Sequence, residues 1–541
     1  TAMSVAALHL ADPEGSADLI QASVDWLRMT QNADGGWGDA PGAPSTLIGT
    51  CAAGPLALVS PVESRDNIQR ALARFEQFGG LRAVRAPGSN KLSVMCEMML
   101  ALGGLHDERE IRRMPIEVIF LPPRLRQRAA FFILPVLLPW GLAQARARRC
   151  GRARRVLNRA AERGIRSHLD EVAASRGADM IFHDSPQAAA MICLGLTKAG
   201  LWPDIVERCV RYLRRTARPD GSWWYVNDLS CTATLYVTAG LQLAGYGEDQ
   251  GVARSLAWTK DSQRRVAHHS SGAVPGGWGW SVRSGMVDTD DTACALLCLA
   301  AGGLGPDSQP ISDGVAWLRA MQARNGSWSC IKQNRILGLD PPCAGMTAHA
   351  IMALRLAGGL DSSDDAIAKA VRWLGGAQQA DGSLPVVWSR GLTAGTGVVL
   401  EALGKLGLAE HPIARRCREW LLTSQHRDGG WGDALGAAPT TEETAQALLG
   451  LLASGLPTDD PAAQAGAAWL CDHQQSAGLW EPALVGSALG VYAYADDLIA
   501  AGLAVQALAS YQNARSAAGS GHLTDSRGSP RAKAEVSDGG L

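Results

Sequence analysis

The chain has 541 residues, enough for more than one domain at roughly 150 residues each, and 47% of them are apolar, enough to fill large cores. Its formal net charge of -1 lacks the basic excess of a nucleic-acid binder, so nucleic acid is not expected as a partner. The 12 cysteines are scattered and form no CxxC pair, which suits a reducing cytosol better than a disulfide scaffold or a zinc site.

From the N-terminus, Met3 reads as the natural start, with Thr1 and Ala2 ahead of it. No basic segment leads into a long apolar run, so no signal peptide is expected and the predicted location is cytoplasmic. A recurring phrase then sets the architecture. Trp26-Leu27 is followed by Asp34-Gly35-Gly36-Trp37, and Tyr212-Leu213 by Asp220-Gly221-Ser222-Trp223. The phrase returns at Trp317 with Asn325-Gly326-Ser327-Trp328, and at Trp373 with Asp381-Gly382-Ser383-Leu384. It closes with Trp420 and Asp428-Gly429-Gly430-Trp431, then Trp469 and Gly478-Leu479-Trp480. The second landmark always stands eleven positions after the first, the mark of stacked supersecondary units. In one unit, Val315, Trp317 and Leu318 end an amphipathic helix. The Asp-Gly step breaks it, because Gly accepts turn dihedrals and Asp bonds its own backbone. The Trp packs under the turn and a second helix follows, as from Thr444 to Leu452. Each unit is a helical hairpin, longer than a tetratricopeptide repeat, and such hairpins close into α/α barrels. The fold class is all-α.

Other stretches stand apart from the repeat. Ala129 to Ala145 carries no charge but is interrupted by Pro135 and Pro139. It falls short of the ~20 apolar residues of a spanning helix and reads as a buried or surface-dipping segment, with transient contact to a membrane surface as an expected partner. Nine arginines lie between Arg146 and Arg166. They read first as a solvated helix face, and second as a surface for an anionic group. From 513 to 541 the polar composition predicts a disordered tail.

The chemistry concentrates in Asp288-Thr289-Asp290-Asp291-Thr292-Ala293, ahead of the apolar run Cys294 to Ala301. One Asp would serve as a helix cap. Three together repel, so at least one tends to hold its proton, and a helix N-terminus stabilises the carboxylate left when that proton departs. That is a poised acid. Pro275-Gly276-Gly277-Trp278-Gly279-Trp280 lies just upstream. Trp280, Trp278 and Trp388 stand outside the fixed repeat positions and are candidates to face a carbocation through the ring quadrupole. His349, in Met346-Thr347-Ala348-His349-Ala350, reads either as a packed core residue or as a partner of the acid.

Taken together, these phrases resemble the class II terpene cyclases, the superfamily of squalene–hopene cyclases and bacterial copalyl diphosphate synthases. The repeat resembles the QW motif, and the acidic phrase the DxDDTA motif with its Gly-Gly-Trp segment. The resemblance runs from about 19 to 508 and implies two α/α barrels in the βγ arrangement. Residues 1–19 would start the catalytic barrel, 20–215 would form an inserted barrel and 216–512 would complete the catalytic one, with the cavity between them. Asp290 would be the proton donor, Asp288 and Asp291 would tune it, and His349 would hydrogen-bond it. Hopene cyclases usually carry an acidic residue just before the histidine phrase, where this chain has Gly345-Met346.

Substrate class follows from finer resemblances. Asp184-Ser185-Pro186-Gln187-Ala188-Ala189-Ala190 resembles a phrase of copalyl diphosphate synthases, and Thr440-Thr441-Glu442-Glu443-Thr444-Ala445 resembles a segment of bacterial diterpene cyclases. Both favour an isoprenoid diphosphate substrate. No Asp-Asp-x-x-Asp occurs in the chain, so a product that keeps its diphosphate is expected. Lys91, Arg124, Arg126 and Arg128 are candidates to hold the head group, each with surface charge as its alternative. Mg²⁺ is a candidate cofactor with no ligand assigned, and no organic cofactor is expected. The implied reaction is protonation of geranylgeranyl diphosphate by Asp290 and two ring closures to a copalyl-type diphosphate. Farnesyl diphosphate to a drimenyl product comes next, and squalene third. A protein prenyltransferase β-subunit would need an Asp/Cys/His zinc site, whose spacing is not seen. A helical scaffold without activity would have no need of the acid triplet.

Overall fold

A computed structural model describes the chain except for residues 87–92, 123–124, 127–133, 175–183, 268–272, 283–285, 332–339, 390, 489–491 and 526–541, and the side chains of 519–525. The described residues are helical apart from loops and one short antiparallel pairing, Gly486–Ala488 with Tyr492–Tyr494.

The repeat is built by three hydrogen bonds that recur wherever the phrase does. The buried tryptophan donates its indole N–H to the carbonyl ten residues earlier: Trp37 to Leu27 at 2.8 Å, Trp223 to Leu213 at 2.9 Å, Trp328 to Leu318 at 2.8 Å, Trp431 to Leu421 at 2.7 Å and Trp480 to Leu470 at 2.7 Å. A ring this large is buried without loss only when its polar atom finds a partner. The turn carboxylate accepts a backbone N–H two residues on, as Asp381 does from Ser383 at 3.0 Å. A glutamine then ties each turn to the next outer helix. Gln322 donates to Gly326 O at 2.9 Å and Ala366 O at 2.8 Å, and Gln425 to Gly429 O at 2.8 Å and Ala462 O at 3.0 Å. Gly326 has φ 93°, and a Cβ there would lie 2.5 Å from Lys369 O, so the turn requires glycine.

In the second half of the chain these ties close a ring. The inner helices Ser230–Leu243, Thr289–Ala301, Ala344–Leu356, Thr393–Lys405, Thr441–Ala453 and Asp497–Asp525 pack each on the next, and the last returns to the first. Gln250–Asp261, Gln309–Met321, Asp365–Ala377, Pro412–Ser424 and Pro461–Asp472 form an outer layer, each against the inner helix it follows. The inner helices are apolar on nearly every side because both faces are covered, whereas the outer ones keep a polar face. The result is an α/α barrel.

A separate core draws on residues from Ala2 to Trp223. Here the Ala2–Ala11 helix packs against Ala53–Val59 and Pro186–Ala199, and the latter lies along Leu134–Ala147. This corrects the expected assignment of 1–19 to the catalytic barrel. The first helix is buried from Ala2 to Leu8 and its apolar surface is satisfied within the first unit. The last helix continues to Asp525, with Asn513 donating to Leu243 O at 2.9 Å, so residue 513 lies inside a helix and not at the start of a tail. The uncharged segment enters the helix Leu134–Ala147, buried over most of its length with Pro139 inside it. Residues 129–133 lie outside the described ones. Among the described residues no helix is long and apolar enough to cross a membrane.

Candidate active site

Four inner helices of the ring begin in one shared frame. The landmark residue donates its backbone N–H to a threonine hydroxyl on the helix it precedes: Trp278 to Thr292 at 2.9 Å, Trp328 to Thr347 at 3.0 Å, Leu384 to Thr396 at 3.0 Å and Trp431 to Thr444 at 2.9 Å. In three of them the N-cap residue also donates back to the tryptophan carbonyl, Asp288 at 2.8 Å and Cys343 and Thr440 at 2.9 Å. The residue two places after the cap, or its equivalent, then faces one cavity in every case: Asp290, Gly345, Ala394 and Glu442.

At the first of these positions stands the acid triplet. Asp288 caps the helix, accepting the N–H of Asp291 at 2.8 Å. Asp288 and Asp291 are 1% and 4% exposed. Burial and the neighbouring Asp291 push the Asp288 carboxyl well above the ordinary range. Burial likewise lifts Asp291 to about 7, against hydrogen bonds from Asp288 and Thr232 that favour its ionised form. Asp290 keeps more access to the cavity, with its side chain 21% exposed, and meets Nδ1 of His349, which arrives from the next inner helix. Burial works against an imidazolium at His349, but the adjacent Asp290 outweighs it and the His349 pKa is raised. The cluster thus stores at least one proton at neutral pH, because desolvation disfavours every further charge.

The cavity measures about 860 Å³ and lies between the two units, within the ~300–1,000 Å³ range of small-molecule sites. The first unit contributes Met95, Leu134, Val136, Leu138 and Met191, and the barrel contributes Met286, Ile331, Val386, Val398 and Leu503. Trp280, Trp388, Tyr225, Tyr236 and Tyr494 add aromatic faces. Tyr236 and Tyr494 stay neutral, since burial and then Asp290 push both phenols up. A stored proton in an apolar chamber walled by π-faces suits protonation of a hydrocarbon and shelter of the cation that results.

The squalene-hopene cyclase C-terminal domain model matches residues 187–336 and 275–512, and the N-terminal domain model matches 1–129. The chain belongs to the squalene–hopene cyclase family of class II terpene cyclases. The squalene–hopene cyclase of Bradyrhizobium diazoefficiens is 32% identical over 38% of this chain and 36% of that enzyme, so this match spans about a third of the relative. The squalene–hopene cyclase of Alicyclobacillus acidocaldarius is 26% identical over 84% of this chain and 83% of its own. In fold, the chain is similar to the ent-copalyl diphosphate synthase from Streptomyces platensis, with a TM-score of 0.59 and 20% identity over 95% of both chains.

Within this terpene cyclase the residues singled out from sequence divide into three groups. Asp288, Asp290, Asp291, His349, Trp280 and Trp388 all line the cavity. Trp278 and Arg126 are not among its lining residues. Trp278 is 2% exposed, and its indole N–H donates to Thr259 O at 2.6 Å. Gln263 donates to Gly276 O at 2.8 Å and Pro310 O at 2.9 Å, as the repeat glutamines do. Trp258 and Trp278 are therefore the two landmarks of a further repeat, hidden because an insertion spreads their interval from eleven positions to twenty. Trp278 is a frame residue and not one of the cavity aromatics. Arg126 donates to Ile119 O at 3.3 Å. Lys91, Arg124 and Arg128 lie outside the described residues.

Sequence reasoning missed Arg112 and Arg113, which reach the cavity from the first unit; their only local signal is an Arg-Arg-Met-Pro phrase before the short turn Ile116–Phe120. It also missed Thr232 and Tyr236, which no motif marks. The Arg146–Arg166 run is largely tied to acids where it is described, Arg146 to Glu162 at 3.1 Å and Arg166 to Asp204 at 2.8 Å. Among the described residues, Asp290, Cys294 and His349 bring donor atoms within 4.8 Å of one another. That thiol–imidazole–carboxylate set is softer than the oxygen ligands Mg²⁺ takes, so it does not fit the expected Mg²⁺.

Proposed function

We propose that this cyclase converts geranylgeranyl diphosphate into a bicyclic, copalyl-type diphosphate, an isomerisation in which the diphosphate is retained. The observation that carries the proposal is Asp290, held against His349 on the open side of a proton-storing carboxyl cluster, at the wall of an apolar cavity. Asp290 gives its proton to the terminal alkene. The electron pair of that alkene forms the new C–H bond, and the neighbouring alkenes close two rings in turn. Trp280, Trp388 and the aliphatic walls keep water and nucleophiles from the cation. Asp288 and Asp291 keep the cluster supplied with a proton, and His349 stabilises the Asp290 carboxylate once it forms.

The diphosphate part of the reading rests on Arg112 and Arg113 in the cavity lining and on Asp184 and Ser185, from the diterpene-like phrase, beside them in the same lining. Charged groups in that wall suit an anionic head group better than neutral squalene. Farnesyl diphosphate, giving a drimenyl-type diphosphate, is the second reading. Incubation with geranylgeranyl diphosphate, farnesyl diphosphate and squalene, followed by mass spectrometry with and without phosphatase, tests this. A bicyclic C20 diphosphate that yields its alcohol only after phosphatase treatment is expected. Inorganic diphosphate released in step with turnover, or turnover of squalene alone, would overturn the assignment.

A further inference from the structure

The frame that presents Asp290 recurs once more with acids in it. Asp288-Thr289-Asp290-Asp291-Thr292-Ala293 and Thr440-Thr441-Glu442-Glu443-Thr444-Ala445 superpose residue for residue: cap, threonine, two acids, threonine, alanine. Their hydrogen bonds match as well. Asp288 and Thr440 accept the N–H three residues on, Thr292 and Thr444 bond Trp278 and Trp431, and Thr289 and Thr441 reach a carbonyl just past the next landmark, Ser329 and Glu481. The two helices are three steps apart in a closed ring of six, which places them opposite one another. With neighbours ~8–10 Å apart, opposite axes stand ~16–20 Å apart, and side chains reaching in from both sides leave space for a two-ring hydrocarbon between them.

The two acid pairs differ in what surrounds them. Asp290 has His349 on the next inner helix. The helix that follows Glu442 presents Ile499 and Leu503 to the cavity instead. Glu443 has a structural task, since its carboxyl and the Thr440 hydroxyl form a capping box. Glu442 has none. One of its oxygens accepts Ala483 N–H at 3.0 Å, and the other is buried without a partner, at 4% exposure for the residue. Glu443 Oε1 and Gln446 Oε1 are likewise buried without partners on the same cavity wall. A carboxylate with a cation-stabilising neighbour releases a proton readily; one left among apolar groups takes a proton readily.

Resting on the cyclase reading above, we propose that Glu442 is the proton acceptor that ends the reaction, facing the donor Asp290 across the barrel. The bicyclic cation loses a proton from a carbon next to the cationic centre. The C–H bond breaks, its electron pair becomes the second bond of the new alkene, and the proton goes to Glu442 Oε2. Where water adds to the cation instead, the departing O–H proton goes to the same oxygen. Asp290 loses one proton and Glu442 gains one, and exchange with solvent restores both, so the overall reaction stays an isomerisation. Glu443 supports the direction: burial and the adjacent Glu442 push it well up, so it holds the proton of the pair, while burial lifts Glu442 only to about 7.

Glu442→Gln keeps the shape and removes the acceptor. Its expected signature is that substrate is still consumed, while the rate of forming the wild-type product falls ~10²-fold and other alkene isomers or hydroxylated diphosphates take its place. Glu443→Gln, which preserves the capping partner, is expected to keep the wild-type product. An unchanged product at an unchanged rate from Glu442→Gln overturns the inference. So does complete loss of substrate consumption with an unaltered melting curve, because that would place Glu442 on the donor side. Asp290→Asn, run alongside, separates the two levels of the argument: if it consumes substrate normally, the cyclase reading itself fails.

Discussion

The repeats at Trp278 and Trp328 are neighbours in the ring and are built alike, yet only one carries the acids. In both, the tryptophan N–H bonds a threonine hydroxyl, at 2.9 and 3.0 Å, and the cap N–H bonds the tryptophan carbonyl, at 2.8 and 2.9 Å. At the two positions after the cap and its follower, one repeat has Asp290 and Asp291 and the other Gly345 and Met346. The second repeat instead supplies His349, one turn further on, and the two meet where Asp290 touches His349. The frame decides where a side chain is presented, and the residues in two variable positions decide what chemistry is presented there. Stability and function are thus assigned to different residues of one motif.

The sharpest way to break this comparison is to damage the two parts separately. Asp290→Asn is expected to lower turnover by at least ~10³-fold, in the upper range of general acid effects. Its melting temperature should hold or rise, since one member of a mutually repelling group is neutralised. Trp328→Phe should do the reverse. It leaves the buried Leu318 carbonyl without its donor, a loss of ~1–3 kcal/mol that calorimetry would register as a lower melting temperature, while turnover at low temperature stays near wild type. If both variants lose activity and stability together, the division between frame and site is wrong.

His349→Phe tests the join between the two repeats. Removing a hydrogen bond to a group that becomes charged costs about 1.5–3 kcal/mol, or roughly a ten- to hundredfold drop in kcat. KM should change little, because the bond strengthens as the carboxylate forms. Steady-state kinetics decide it, and an unchanged kcat would return His349 to core packing.

The smallest effect expected is a pH slope in stability. Asp291 in the folded chain is raised to about 7 from an ordinary value of 3.8. The folded state therefore binds more protons than the unfolded one between those values. Stability from this group is complete below about pH 4 and is lost as pH rises through about 7. Melting temperature measured across that window should fall with pH, and Asp291→Asn should flatten part of the slope. A melting temperature that rises over the same window in the wild type would contradict the burial of a protonated Asp291.

Much of this was legible in advance because it is local. The interval of eleven positions, the turn chemistry and the Asp288–Asp291 phrase each involve groups that meet within a few residues, so spacing alone exposes them. His349 could be named because its phrase sits at a fixed place in the next repeat. Trp278 was misread because an insertion of loop residues changes an interval without disturbing the hydrogen bonds that define it, and spacing is all that a sequence displays. Glu442 and Glu443 stood in plain view as a phrase, but nothing local tells a capping box from a cavity wall.

By itself, then, the sequence determined that the chain is an array of helical hairpins with a poised acid, since backbone turns, caps and like-charge repulsion act over one or two helical turns. Only the tertiary structure decided that six inner helices close on themselves, that the Ala2–Ala11 helix belongs to the first unit, that Arg112 and Arg113 share a cavity with Asp290, and that Thr441–Ala453 lies opposite Thr289–Ala301. Those relations depend on how apolar faces far apart in the chain bury one another. Burial is non-directional, set by area and shape over many side chains at once, and it leaves no phrase at any single position.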